Sequence, residues 1–130
     1  MRLKKQISDV LKKEPVEFAY LYGSVAEGRE TEMSDLDIGI FIEEPGEFGL
    51  KELGRLKNEL DRATGREVDL RVLNDSEIVF QHQVLSKGEL IFSSNEEERV
   101  SFETDVYKKY LDFKPFFKKY SDVRRSKTLS

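Results

Sequence analysis

The chain has 130 residues, 38% of them hydrophobic and 37% charged, with a net charge of −4 and no cysteine. That length supports one core and not two, the missing cysteines exclude a disulfide framework and a thiolate metal site, and no apolar run approaches the roughly 20 residues of a membrane span. Residues 1–98 carry 13 Lys/Arg against 22 Asp/Glu, whereas residues 99–130 carry nine against four, so an acidic body precedes a basic end and general nucleic-acid binding by the body is disfavoured.

The N-terminal Met1-Arg2-Leu3-Lys4-Lys5-Gln6 is basic but lacks the apolar stretch of a signal peptide, and a cytoplasmic protein is expected. Leu3 to Leu11 reads as a short helix that ends before Pro15, because the residue preceding a proline is pushed out of the helical region. Val16-Glu17-Phe18-Ala19-Tyr20-Leu21-Tyr22 is aromatic and β-branched and stops at Gly23, which predicts a strand. A second strand is expected from Asp35 to Ile42, with Leu36, Ile38, Ile40 and Ile42 on one face and Asp35, Asp37, Gly39 and Phe41 on the other.

After a turn at Pro45-Gly46, Leu50, Leu53, Leu56, Leu60 and Ala63 recur at helical spacing, and Gly65 stands where a helix terminus favours a left-handed residue. Glu67 to Leu73 predicts a third strand, with Val68, Leu70 and Val72 opposite Glu67, Asp69 and Arg71. Asn74 with Glu77 reads as a capping pair for a helix ending near Gly88, and Glu89-Leu90-Ile91-Phe92 as a short fourth strand. Asn95 with Glu98 repeats the capping signal before a final helix whose apolar stripe is read as Val100, Val106, Tyr107, Tyr110, Leu111 and Phe113. This alternation predicts an α/β fold, a mixed sheet of about four strands with helices packed on it. A single domain is expected over residues 1–120, followed by a flexible tail over 121–130.

Chemistry concentrates between the first two strands. A glycine after a strand lets the backbone turn tightly and approach a ligand, and a short helix beginning at Ser24 would turn unpaired N–H groups and a hydroxyl toward a phosphate. Asp35 and Asp37 lie two apart, on one face of a strand. Paired carboxylates repel unless a cation or hydrogen-bond donors compensate, and oxygen ligands of this kind suit Mg²⁺. Asp69 sits among apolar residues of the third strand and, unless paired with Arg71 or Arg66, has few structural reasons to be there. Its functional reading is a further metal ligand and a base for an attacking hydroxyl. Ser34 would fix the start of the second strand through a side-chain-to-backbone bond. Gly23-x4-Gly28 opens like a phosphate-binding P-loop, but Arg29-Glu30 replaces the Lys-Ser/Thr pair which that loop requires.

Gly23-Ser24, ten residues, then Asp35-x-Asp37, with Asp69 on a later strand, resembles the active site of the polymerase-β nucleotidyltransferase superfamily, and the short length is similar to its minimal members, the MNT proteins. The match covers roughly residues 15–75. The segment Tyr107-Lys108-Lys109-Tyr110-Leu111-Asp112-Phe113-Lys114-Pro115 resembles, less specifically, the end of MNT antitoxins encoded with HEPN toxins. The resemblance implies ATP as substrate, two Mg²⁺ ions held by Asp35, Asp37 and Asp69, triphosphate anchoring by Gly23, Ser24 and Ser34, and catalysis by the three aspartates. It further implies AMP transfer to a tyrosine of a HEPN ribonuclease toxin, which the protein neutralises. Two alternatives stay open: an antitoxin that masks its partner without catalysis, and nucleotidyl transfer to a small-molecule hydroxyl. The acidic loop Glu27 to Glu32 is unsuited to a nucleic-acid partner. His82, alone between Gln81 and Gln83, reads as a packing or surface residue. Phe116, Phe117 and Tyr120, interleaved with Lys114, Lys118 and Lys119, read either as a partner surface or as internal packing.

Overall fold

A computed structural model describes residues 2–26, 28 and 35–129, with the side chains of Ser24, Val25 and residues 117–129 outside that description. The first helix, α1 (Arg2–Leu11), buries Ile7 and Leu11, four residues apart on one face. It hands over through a turn to β1 (Val16–Tyr22), in which Phe18, Ala19, Tyr20 and Leu21 are all buried, as befits a strand covered on both faces. A single helical turn, α2 (Gly23–Ala26), follows directly. After β2 (Leu36–Ile42) and a 3-10 turn at Pro45–Glu47 comes α3 (Leu50–Thr64). As expected, Gly65 closes α3 in the left-handed region, at φ 70°, where its N–H donates to the Asp61 carbonyl at 2.8 Å.

The remaining elements are β3 (Val68–Val72), α4 (Ile78–Lys87), β4 (Glu89–Ser93) and α5 (Glu96–Leu129), a helix that contains Pro115. The four strands form one mixed sheet in the order β3-β2-β1-β4, with β1 antiparallel to both neighbours and β2 parallel to β3. Parallel neighbours need a crossover, and α3 supplies it. One face of the sheet, carrying Leu36, Ile38, Ile40 and Ile42, packs against Ile7 and Leu11 of α1 and Leu56 and Leu60 of α3. The opposite face carries Phe18 and Tyr20 against Val84 of α4 and Phe102 and Val106 of α5. There Phe18, Phe41 and Phe102 form an aromatic cluster, with Phe18 and Phe41 stacked at 4.6 Å.

Two expectations need correction. Asn74 does not cap α4, whose N-cap position is Glu77 and carries no side-chain cap. The Asn74 amide instead donates to the Ile42 carbonyl at 2.9 Å and accepts from the Ile42 N–H at 2.8 Å, satisfying backbone groups at the end of β2. The apolar stripe of α5 is also displaced. Phe102 and Val106 are its buried members, while Val100, Tyr107, Leu111, Phe113 and Phe116 are exposed. The cap of α5 is as expected, with the Glu98 N–H donating to Asn95 Oδ1 at 3.1 Å.

The docking of α5 rests on a polar relay as well as on apolar contact. The Tyr20 hydroxyl donates to Glu103 at 2.7 Å, and Arg99 grips the same carboxylate at 2.6 Å. Burial and the neighbouring Glu103 push the Tyr20 hydroxyl well above its usual pKa, so it stays a donor at every physiological pH. Tyr20→Phe removes this hydrogen bond while keeping the ring, and is expected to cost about 1 kcal/mol of unfolding free energy in urea denaturation.

Candidate active site

The chemistry expected between the first strands gathers on the α4–α5 face of the sheet, at the edge where β1 ends and β2 begins. Pairing in the sheet does this. Tyr22 lies opposite Asp37 across the antiparallel β1–β2 ladder, and Asp37 lies opposite Asp69 across the parallel β2–β3 ladder. Residues opposite one another share a face, so aspartates 32 positions apart in the chain stand side by side. Together with Tyr22, Gly23 and Arg71 they line a cleft of about 340 Å³. Helix α4 forms its other wall through Phe80, Gln83, Val84 and Lys87.

Gly23 is a glycine for two reasons. Its φ of 78° is left-handed, and a β-carbon there would fall 2.2 Å from Asp37 Oδ2 and 3.0 Å from its Cγ. The carboxylate thus rests directly against the bare α-carbon of the turn. The Asp37 carboxyl is held above its ordinary pKa, first by burial and then by the charges of Asp69 and Asp35, with a hydrogen bond to Asp69 adding to the effect and Arg71 opposing it. Arg71 Nε lies 3.5 Å from Asp69 Oδ2, the pairing that the sequence offered as a structural reason for Asp69. Arg71 also lies over the Phe80 ring, 5.4 Å from its centroid. Among the described residues the Tyr22 hydroxyl is buried without a hydrogen-bond partner, and burial, opposed by Arg71 and reinforced by Asp69 and Asp37, pushes its pKa up to about 12.

Asp35 stands just before β2, exposed, and reaches Asp37 through its charge; it does not line the cleft. Among the described residues, no three acidic or histidine side chains converge into a cage for a metal. The Asp37–Asp69 pair nevertheless fits a divalent cation: the charge of Asp69 is among the causes that hold the Asp37 carboxyl above its ordinary pKa, and an oxygen-seeking Mg²⁺ between the two would relieve that repulsion. Ser34 and Arg29 lie outside the described residues, as does the side chain of Ser24; the backbone of Ser24 belongs to α2. His82 does not line the cleft and stacks on Tyr110.

Tyr22, Phe80, Gln83 and Lys87 were not among the site residues expected from the sequence. The α4 members recur at positions 80, 83, 84 and 87, a helical stripe that mixes an aromatic ring, an amide and a cation where a purely structural stripe would be apolar.

The raised Asp37 carboxyl has a testable effect on stability. The folded chain holds this proton more firmly than the unfolded chain, whose carboxyl has the ordinary value of 3.8. The resulting destabilisation is absent below that value, grows as pH rises toward the raised value, and is complete above it. Asp37→Asn should therefore gain stability relative to the parent across that window, as read by urea denaturation at a series of pH values. Millimolar Mg²⁺ should narrow the difference above the window.

The nucleotidyltransferase family described as polymerase beta has a family model that matches residues 5–97. A Methanocaldococcus jannaschii protein, provisionally named a protein adenylyltransferase, is 34% identical over 90 residues, covering 66% of this chain and 90% of that protein. Two solved structures share the fold. A toxin–antitoxin with AMP-PNP superposes with a TM-score of 0.80 at 20% identity, covering 94% of this chain and 98% of that one. A tri-AMPylated Shewanella oneidensis HEPN toxin in complex with MNT antitoxin gives a TM-score of 0.75 at 18% identity, covering 95% and 96%.

Proposed function

We propose, because the chain belongs to the polymerase beta nucleotidyltransferase family, that it transfers AMP from ATP to a tyrosine hydroxyl of a partner HEPN ribonuclease toxin and acts as its antitoxin. The observation that carries the reading is the Asp37–Asp69 pair, set in register across β2 and β3 and resting on the Gly23 corner in one cleft. The protein-adenylyltransferase name of the M. jannaschii relative and the HEPN toxin in the S. oneidensis complex support the choice of acceptor.

In this reading the acceptor oxygen bonds to the α-phosphorus of ATP, the bond from that phosphorus to the bridging oxygen breaks, and pyrophosphate leaves with its electron pair. Asp69 accepts the hydroxyl proton, and its place on the same face as Asp37 brings it to the attacking group. Asp37 and Asp69 would hold Mg²⁺, with Asp35 adding negative charge at the mouth, and a bound ion would supply charge neutralisation for the triphosphate. Gly23 lets the backbone of α2 approach the phosphates, with Ser24 and Ser34 assigned to their anchoring. Arg71 and Lys87 bring positive charge to the same cleft.

Incubation with α-labelled ATP, Mg²⁺ and a candidate HEPN partner protein, followed by mass spectrometry, should find AMP on a partner tyrosine. A silenced toxin without label would instead favour the second reading, inhibition by binding alone. The exposed Val100, Tyr107, Leu111, Phe113 and Phe116 of α5 favour that reading, because they form apolar surface on a helix whose buried residues lie elsewhere.

A further inference from the structure

Tyr20 and Tyr22 project from the same face of β1, two residues apart, yet their hydroxyls differ. Tyr20 donates to Glu103, whereas the Tyr22 hydroxyl is buried with no hydrogen-bond partner among the described residues. A buried donor left unpaired is costly, and folded proteins keep few of them. Packing alone does not call for this one. The Tyr22 ring meets Phe80 edge-on at 5.6 Å, a contact that phenylalanine would make equally well, and Phe18, Phe41 and Phe102 fill the neighbouring layer without a hydroxyl.

We propose that Tyr22 is a positioning residue for the aspartate pair: with a divalent cation on Asp37 and Asp69, its hydroxyl donates to a carboxylate oxygen that the cation leaves free, and so holds the pair in its binding orientation. This deepens the nucleotide-transfer reading above and rests on its cation site.

The sheet register supplies the geometry. Tyr22 lies opposite Asp37 and Asp37 opposite Asp69, so the three stand in one row across β1, β2 and β3 and line one cleft. The Tyr22 side chain is held at both ends, by the Phe80 ring and by the backbone of Gly88, where a β-carbon would fall 3.3 Å from Tyr22 Cβ. A fixed hydroxyl beside two short acidic side chains leaves the carboxylates as the groups that turn. Burial, opposed by Arg71 and reinforced by Asp69 and Asp37, keeps the proton on Tyr22 at physiological pH.

The chemistry of the pair asks for such a donor. A carboxylate that gives one oxygen to a metal still has a second to satisfy, and a donor on that oxygen fixes its rotation. Mg²⁺ demands near-ideal octahedral geometry, so that rotation matters to affinity. Arg71 already stands 3.5 Å from Asp69 Oδ2 and over the Phe80 ring. Tyr22 is thus the donor in the row with no other commitment.

Tyr22→Phe keeps the ring and removes only the hydroxyl, and two measurements on the full chain test the proposal without the transfer reaction. Thermal unfolding in chelator should leave the variant level with the parent chain or above it, since an unpaired group is lost. Titration with Mn²⁺, an oxygen-binding stand-in for Mg²⁺ whose free form is read by electron paramagnetic resonance, should show the variant binding about tenfold more weakly. A variant that melts lower in chelator already uses the hydroxyl for folding, which overturns the proposal. Equal Mn²⁺ affinity overturns it too, and in both cases the transfer reading stands. A parent chain that takes up no Mn²⁺ also overturns it. One that in addition fails to bind a non-hydrolysable ATP analogue with Mn²⁺ defeats the transfer reading as well.

Discussion

Asp37→Asn is expected to lower the rate of AMP transfer by about a thousandfold, since it halves the negative charge of the pair that would bind the cation in a cleft where electrostatic stabilisation carries most of the rate. Its effect on folding runs the other way. Asp37 is held near Asp69 and within the field of Asp35, so loss of its charge relieves repulsion and the melting temperature should stay level or rise. Pyrophosphate release under saturating ATP and partner, measured beside a thermal melt, separates the two effects. A rate within tenfold of the parent chain would remove Asp37 from the site. Asp35→Asn should cost far less, because Asp35 is exposed and does not line the cleft. Equal losses from the two substitutions would make Asp35 a direct ligand.

Gly23→Ala is expected to be nearly as damaging to activity, by a different route. The added methyl would come within 2.2 Å of Asp37 Oδ2. That atom ends a side chain, so the carboxylate can rotate away, and the collision is relieved at the cost of the metal-binding geometry. A displacement of about 1 Å at a reacting centre costs on the order of a hundredfold in rate. The left-handed φ adds strain of about 1 kcal/mol for any residue with a β-carbon. The variant should therefore fold with a modestly lower melting temperature and retain about one percent of the transfer rate or less. An active Gly23→Ala chain would show that the contact with Asp37 does not set the carboxylate's position.

The sheet was legible because its strands carry local signals. Period-two alternation in residues 36–42 and 68–72 separates the buried isoleucine and leucine positions from Asp37, Asp69 and Arg71, and the observed register keeps that separation. Gly65 was readable for a similar reason, since a helix terminus announces itself within a few residues. Asn74 misled because its partner, Ile42, is 32 residues away and a long-range bond competes with the local cap. The face of α5 was misread because periodicity finds apolar positions without saying which of them meet the sheet. Phe102 and Val106 pack near the start of the helix, while the rings at 113 and 116 lie beyond that contact. The α4 wall escaped for the same reason: Phe80, Gln83 and Lys87 join the aspartates only once the helix is docked.

The crossover through α3 has a consequence for synthesis. Asp37 and Asp69 sit on strands whose neighbouring positions are earned only after residues 43–67 have wrapped across the sheet and β3 has zipped alongside β2. A nascent chain arrested before that point carries the glycine corner and the first carboxylates yet lacks their companion. In the mechanism proposed above such a chain is expected to be inert, and a split of the polypeptide within the crossover is expected to give fragments that are silent apart.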